Sequence, residues 1–564
     1  MRSIFPILFP ILALGPLDLR AAEGNPSAPG RSAEVIARLR DARARLGLEA
    51  SDDFVPKDEL RDDLGQVHVR LQQTHRGLPV WGGQVIVHVA PSGDAPPMTD
   101  ALVRGVRVEP TPNLAPAEAL ALAQDRLAPR GAYADPPRAE LVIWPETALP
   151  PGAGDAPDAT DPSVAPVVVG HRLAYHLHAA LANGPGETRS EDFLVDAHTG
   201  AVLKAWSTLF TARRRRPPAL PGSPARGTGN SQYSGKVPLH MMRAPDGFEL
   251  ADPTRGGLST RNLAGSTEGP GEPFLNPTRD WGDGQNYDPG RGPASPNGQT
   301  AAVDAHYGLQ SAWDFYLNVL GRRGLDGRGT APTNYVHYAQ GYDNAFWSDE
   351  CFCMTYGDGL RLGALTSLDV VGHEVSHGLC TATANLDYEG EAGGLNEANS
   401  DIFGVMIRFY ARDGQGRGDR VPEARGPWTI GADLGDTPFR HLDRPSLDGL
   451  SPDAWSPGLR DLDPHHASGP MNRAFYFLAQ GASPDPESTA FSRWLPEGME
   501  GIGNDKALRI WWRTLATRLT PTSGYRQARA GALQCARELY GDGSPEMQAV
   551  GKAFRAIHVG RKTR

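Results

Sequence analysis

Several ingredients are scarce in this chain of 564 residues, and each scarcity removes a class of function. An excess of basic residues is missing: the formal net charge is -10, which argues against a general nucleic-acid binder. The one dense basic run, Arg213 to Arg216, sits among prolines and reads as an exposed junction rather than a phosphate site. No apolar run is long enough to cross a bilayer. Residues 4 to 17, IFPILFPILALGPL, follow a single arginine and have signal-peptide length, so export with cleavage near Gly15 or Ala22 is expected, with no membrane anchor. Cysteine is limited to Cys351, Cys353, Cys380 and Cys535. Cys351-x-Cys353 without a second such pair disfavours a cysteine zinc site. In an oxidising compartment one bridge is expected among Cys351, Cys353 and Cys380, its connectivity open.

What remains is a soluble globular composition, 39% hydrophobic and 22% charged. Gly (66) and Pro (50) together make about a fifth of the chain, so many turns and linkers are expected. The length suggests about three or four domains. One stretch carries chemistry: Leu368 to Phe409. His373-Glu374-Val375-Ser376-His377 is an H-E-x-x-H pattern, and helical residues four apart lie one above the other. Two imidazoles therefore share a side, as two corners of a zinc tetrahedron require. Leu368, Val371, Val375 and Leu379 form the apolar stripe of that helix. A second helical pattern follows, with Leu395, Ala398, Ile402, Val405 or Met406, and Phe409 inward and Glu397, Asp401 and Gly404 on the other side. Glu397 is the natural third ligand, because a catalytic zinc keeps three protein ligands and one open place. Asp401, one turn on, is placed to accept the free ring N–H of a ligating histidine.

With Asn396, Glu397, Ser400 and Asp401 in register as N-E-x-x-S-D, the sequence resembles the thermolysin family of secreted zinc endopeptidases. The resemblance implies an α+β, two-lobed catalytic domain, β-rich then mainly helical, preceded by α+β propeptide domains. It implies one catalytic Zn2+ on His373, His377 and Glu397, Glu374 as general base, and Asn396 and Asp401 orienting the ligands. Tyr388 and His465 are the implied donors to the developing oxyanion, His465 being chosen over His466 by counting back from Ser468-Gly469. The family's aspartate five residues before that histidine is Arg460 here, which leaves Asp461 and Asp463 as candidates to orient it. Asn344, the carbonyl of Ala345 and Arg440 match substrate-backbone contacts. Val370, Ile430 and Phe439, with Leu362 and Leu365, match the pocket for a bulky hydrophobic residue after the cut. Paired calcium sites of thermostable members include the equivalent of Asp369, but Arg408, Pro427, Thr429 and Ala432 stand where their other ligands would be. The pair is expected to be lost, with Arg408 replacing the ions by pairing with Asp369; calcium elsewhere is left open.

Along the chain this divides into a signal peptide (1–22), a fungalysin/thermolysin-type propeptide module (23–109), a PepSY-like propeptide domain (110–210), a processing linker (211–230), a β-rich lobe (231–370) and a helical lobe (371–564). A leading helix is expected from the spacing of Val35, Leu39 and Leu46. VHVRLQQTHRGLPVWGGQVIVHV reads as two strands around a Gly-Leu-Pro turn, and NYVHYAQGYDNAFW (334–347) as one edge strand along the cleft. Helices are read at 303–321, 473–481, 505–519, 525–541 and 545–557. Peptides and proteins are the expected substrates, and the propeptide the expected intramolecular inhibitor and chaperone. Two other readings compete. A silent peptide-binding or inhibitory module on the same fold is disfavoured by the intact ligands and Glu374. A di-iron bundle needs a second E-x-x-H, and none is present.

Overall fold

The computed structural model describes residues 30–92, 98–127, 132–133, 137–148, 167–182, 189–207, 222–349, 351–423 and 426–560. The apolar run 4–17 and most of the Arg-rich junction lie outside them. The chain divides into two compact units, the first holding the chain up to Pro110 with Val142–Glu146 and Val168–Arg172, the second the remainder. Sheets and helices are both abundant, so the class is α+β.

In the first unit the expected leading helix runs Ser32–Ala42 and buries Val35, Ile36 and Leu39. It shares a core with Phe54, Val69, Leu71, Val85 and Val87 from the strands Asp52–Arg61, Val67–His75 and Leu78–Val89. The hairpin turn is tighter than Gly-Leu-Pro. His75 pairs with Leu78, leaving Arg76 and Gly77 as the two turn residues, both with positive φ, while Leu78 and Pro79 are already strand. Two central residues at positive φ match the twist of the flanking strands, which is why this turn wins.

The second unit contains the helix Pro116–Leu127 and the strand pairing of Arg189–Asp196 with Val202–Ser207. Then come a five-stranded and a six-stranded sheet and a mainly helical half. Pro224–Ser231, inside the expected linker, is instead a strand, bonded to Gly235–Ala244 on one side and Asp280–Trp281 on the other. The stretch 334–347 is not one edge strand. Thr333–Tyr338 lies inside its sheet, parallel to both neighbours and buried throughout, and only Ala345–Ser348 is at the edge. Positive φ at His337, Ala339 and Gly341 breaks the run between them. A continuous apolar run cannot tell a strand buried on both faces from a sheet's edge.

The helix expected at 303–321 starts earlier and spans Pro296–Asn318. Ser295 caps it, accepting from Gly298 N at 3.2 Å, and Pro296 opens it. Its first turns bury polar side chains, each tied down: Asn297 donates to the Asn286 carbonyl at 3.0 Å, and Thr300 Oγ1 donates to Asp283 Oδ1 at 3.1 Å. This helix backs the motif helix Leu368–Thr381, with Tyr316 and Ser376 hydroxyls 2.9 Å apart. The helices Gly469–Gln480, Asn504–Arg518, Tyr525–Tyr540 and Pro545–Ala556 fall where their apolar stripes predict.

Two glycines set the site's geometry. The motif helix crosses the helix Gly390–Arg412 where Gly372 meets Gly404; a Cβ on Gly404 would stand 2.6 Å from the Asp369 carbonyl oxygen, so only glycine admits this approach. At Gly378 a Cβ would fall 2.5 Å from the Trp347 ring, so the missing side chain lets the edge strand Ala345–Ser348 lie against the motif helix.

Candidate metal and active site

Leu368, Val371, Val375 and Leu379 are buried as the stripe predicts, and so are His373, Glu374 and His377 on the opposite side. Both faces are covered because the Gly390–Arg412 helix lies across the second one, bringing Glu397 to the imidazoles. His373 Nε2 and His377 Nε2 each lie 3.5 Å from a Glu397 oxygen, and one ligand atom from each residue falls within 4.8 Å of the others.

Hydrogen bonds within the protein do not account for this cluster. Asn396 donates to the Leu386 carbonyl at 3.0 Å, which turns its Oδ1 to accept from His377 Nδ1 at 2.9 Å. Asp401 accepts from His373 Nδ1 at 2.8 Å. Both rings therefore carry their proton on Nδ1, and two lone pairs face each other across 3.2 Å between the Nε2 atoms. Glu397 Oε2 is buried with no hydrogen-bond donor. Lone pairs converging with no proton between them are what a divalent cation satisfies, and two nitrogens with one carboxylate are a zinc donor set. At His377 and Glu397 the electrostatics agree; at His373 burial lowers the pKa, but the bond to Asp401 and the charge of Glu397 outweigh it and raise it. Burial holds His377 near 4, so it is neutral at ordinary pH. For Glu397 burial pushes upward, but the charges of His465, His373, His377 and Arg440 outweigh it and hold it at about 2.

Tyr388 donates to Glu397 Oε1, and His465 Nε2 lies 3.4 Å from the Tyr388 hydroxyl. Of the two candidate orienting acids it is Asp463 that holds His465, accepting from its Nδ1 at 2.7 Å. The reason is local: Asp463 caps the helix Pro464–Ala467, and its carboxylate accepts from His465 N at 3.0 Å. Arg440 stands on a two-stranded ribbon, Thr429–Ile430 with Arg440–His441, and forks onto Asp401 at 2.7 and 2.6 Å. Asn472 adds a further bond to Asp401 at 2.7 Å. Neither the Arg440–Asp401 fork nor the Asn472 bond is predicted from the sequence.

The substrate-side candidates are placed unevenly. Asn344 is exposed, with its carbonyl accepting from Gly357 N at 3.0 Å, and Ala345 opens the edge strand opposite Tyr356. Val370, Ile430 and Leu365 belong to one buried cluster with Phe439 packed on it, and Phe439 N donates to the Ile430 carbonyl at 2.8 Å. Leu362 is half-buried. The disulfide joins Cys351 to Cys353; Cys380 and Cys535 are buried.

Arg408 does pair with Asp369, at 2.8 Å with both side chains buried. It also donates to the Thr429 carbonyl at 3.0 Å and to that of Pro427, where the missing acids would have stood.

Residues 226–381 match the thermolysin metallopeptidase catalytic domain and residues 384–559 its alpha-helical domain. Residues 52–101 match the fungalysin/thermolysin propeptide motif. A thermolysin from Alicyclobacillus acidocaldarius is 32% identical over 93% of this chain and 90% of its own length. The chain belongs to the thermolysin family of metallopeptidases. A transglutaminase-activating metalloprotease from Streptomyces mobaraensis is 36% identical over 94% of this chain, which spans 65% of that relative's length. Among solved structures the precursor of protealysin from Serratia proteamaculans is 25% identical, with a TM-score of 0.41, over 54% of this chain and 87% of its own.

Within this thermolysin-type site the Asp463–His465 pair has a measurable consequence. Glu397's charge raises the His465 pKa most, burial opposes it, and the bond to Asp463 raises it further. Asp463 is itself held at about 2, first by that bond. If protonated His465 is the active donor, activity is present below its pKa and falls as pH rises through it. In Asp463→Asn the falling limb of kcat/KM against pH moves down by about one unit. An unmoved limb would reject Asp463 as the orienting acid.

Proposed function

We propose that this thermolysin-type chain is the precursor of a secreted zinc endopeptidase that cuts before a bulky hydrophobic residue. The observation that carries the reading is the convergence of His373, His377 and Glu397, with proton positions that leave only lone pairs facing inward. The chemistry a zinc ion supplies in such a cluster is a water made acidic near neutral pH and a carbonyl made electrophilic.

Around that ion the chain's own groups have distinct tasks. Glu374, buried and adjacent to His373, takes the proton of the attacking water and returns it to the departing nitrogen. Protonated His465 and the Tyr388 hydroxyl donate to the oxyanion, each donor being worth about 3 kcal/mol in such sites. Asp401 and Asn396 fix the ring orientations. An extended substrate adds to the outer side of Ala345–Ser348, with Asn344 and the Ala345 carbonyl on its backbone and Arg440 on the carbonyl after the cut. Val370, Ile430, Phe439, Leu362 and Leu365 line the pocket for the residue there.

The propeptide is proposed as 23–210, in two modules, acting as intramolecular inhibitor and chaperone. In support, Lys204 on the strand Val202–Ser207 forms an ion pair with Glu389, one residue from Tyr388. Export is supported by the short apolar N-terminus; no described helix is long and apolar enough to cross a membrane. That Pro224–Ser231 is an interior strand of its sheet supports a maturation point upstream of Pro224. Incubating the purified protein with casein tests all of this. Fragment sequencing is expected to find bulky hydrophobic residues at new N-termini, a zinc chelator to stop cleavage, and the active chain to begin between residues 211 and 223. Cleavage that the chelator leaves untouched would sink the reading.

A further inference from the structure

Apart from the metal cluster, a cavity of about 430 Å³ opens in the helical lobe, and arginine dominates its wall: Arg444, Arg473 and Arg493 against one carboxylate, Asp453. Phe491 and Trp494 supply an apolar side. The volume suits a small molecule rather than a protein surface.

Arg473 is the fixed element. It follows Asn472 on the Gly469–Gln480 helix, so while its neighbour grips Asp401 it faces elsewhere and is buried. Its Nε donates to the Asp443 carbonyl at 3.0 Å, and its Nη2 to the carbonyls of Thr489 and Phe491 at 3.1 and 2.7 Å. These three bonds lock the guanidinium plane. Nη1 is left with one loose contact, 3.4 Å to Asp453 Oδ2. Asp453 is occupied with Ser446, accepting from its N and Oγ at 2.9 Å each. A buried guanidinium with one amino group so loosely held, on a residue that lines a cavity, offers the donors that a carboxylate or phosphate completes.

The other two arginines are at the mouth. Arg444 is exposed and forms no ion pair with the described residues. Arg493 is exposed, with its guanidinium 4.8 Å over the Trp494 ring, and Trp494 stacks on His558 at 3.8 Å with planes 7° apart. A purely structural Arg473 would explain the three carbonyl bonds. It would not explain why Arg444 and Arg493 line the same cavity against the single carboxylate of Asp453, since like charges repel unless enough negative charge lies between them.

We propose that this cavity binds a compact oxyanion, a carboxylate or phosphate carried on a planar apolar group, with Arg473 as anchor, Arg444 and Arg493 closing over the charge, and Phe491 against the plane. Calorimetric titration of the full chain with phenyl phosphate, benzoate and inorganic phosphate, at fixed ionic strength, tests it. Saturable binding of one planar anion per chain, tighter than inorganic phosphate, is expected, and the order of phenyl phosphate and benzoate tells which oxyanion fits. Arg444→Ser/Arg493→Ser, altered only at exposed side chains, should keep its thermal midpoint and bind at least about tenfold more weakly. No saturable heat with any probe, or binding unchanged in that variant, would overturn the proposal.

Discussion

Glu374→Gln is expected to lower kcat on casein by on the order of 10²–10⁴-fold while the bound zinc stays at one per chain. The substitution keeps size and shape and removes only the ability to take and return a proton. Glu374 is built for that exchange: its Oε2 is buried without a hydrogen-bond partner, and burial, with the Glu397 charge adding to it against His373, pushes its pKa up to about 7. A carboxyl that titrates near the working pH trades protons in both directions. Comparing turnover and metal content of the same preparation separates the base from a ligand. An active variant would remove Glu374 from the chemistry, and a metal-free one would make it a ligand.

The second large effect is on stability. Arg408→Met is expected to cost about 3–5 kcal/mol, because it leaves Asp369 charged, buried and without its cation. Asp369 keeps donors from Ser367 at 2.6 Å and Gly431 N at 3.0 Å, which soften the loss but carry no full charge. The damage reaches the site. Arg408 holds the carbonyls of Pro427 and Thr429, Thr429 pairs with His441, and Ile430 pairs with Arg440, so the same guanidinium steadies the ribbon that brings Arg440 to Asp401. A thermal midpoint lower by about 5–15 °C should appear in calorimetry, accompanied by a raised KM. Arg408→Lys should recover only part, since a point charge cannot serve a carboxylate and two carbonyls together. A midpoint unchanged in Arg408→Met would refute the idea that a side chain does an ion's work here.

The His373–His377–Glu397 cluster is legible because its spacing is helical: residues four apart must share a face, and the glutamate on the next helix has one way to meet them. The Arg408–Asp369 pair is legible only through the family resemblance, which puts Arg408 where a calcium ligand would stand beside Asp369. What the residues could not reveal depended on contacts between distant segments. That Asp463 rather than Asp461 holds His465 follows from a capping geometry, visible in Asp-Pro-His only once a short helix is assumed there. Asn472 and the Arg440 fork converge on Asp401 from 71 and 39 residues away, and nothing local announces them. The interior strand Thr333–Tyr338 does not show in the sequence because parallel interior strands lack alternation, and the helix start at Pro296 does not because its first turns bury asparagine, glutamine and threonine instead of leucine.

The most direct measurement is the metal content of the purified mature enzyme and of Glu397→Ala, read together with activity. One zinc per active chain is predicted, with both metal and activity lost when Glu397 is removed. A metal-free preparation that is fully active, or a Glu397→Ala protein that keeps its zinc and its turnover, would contradict the account.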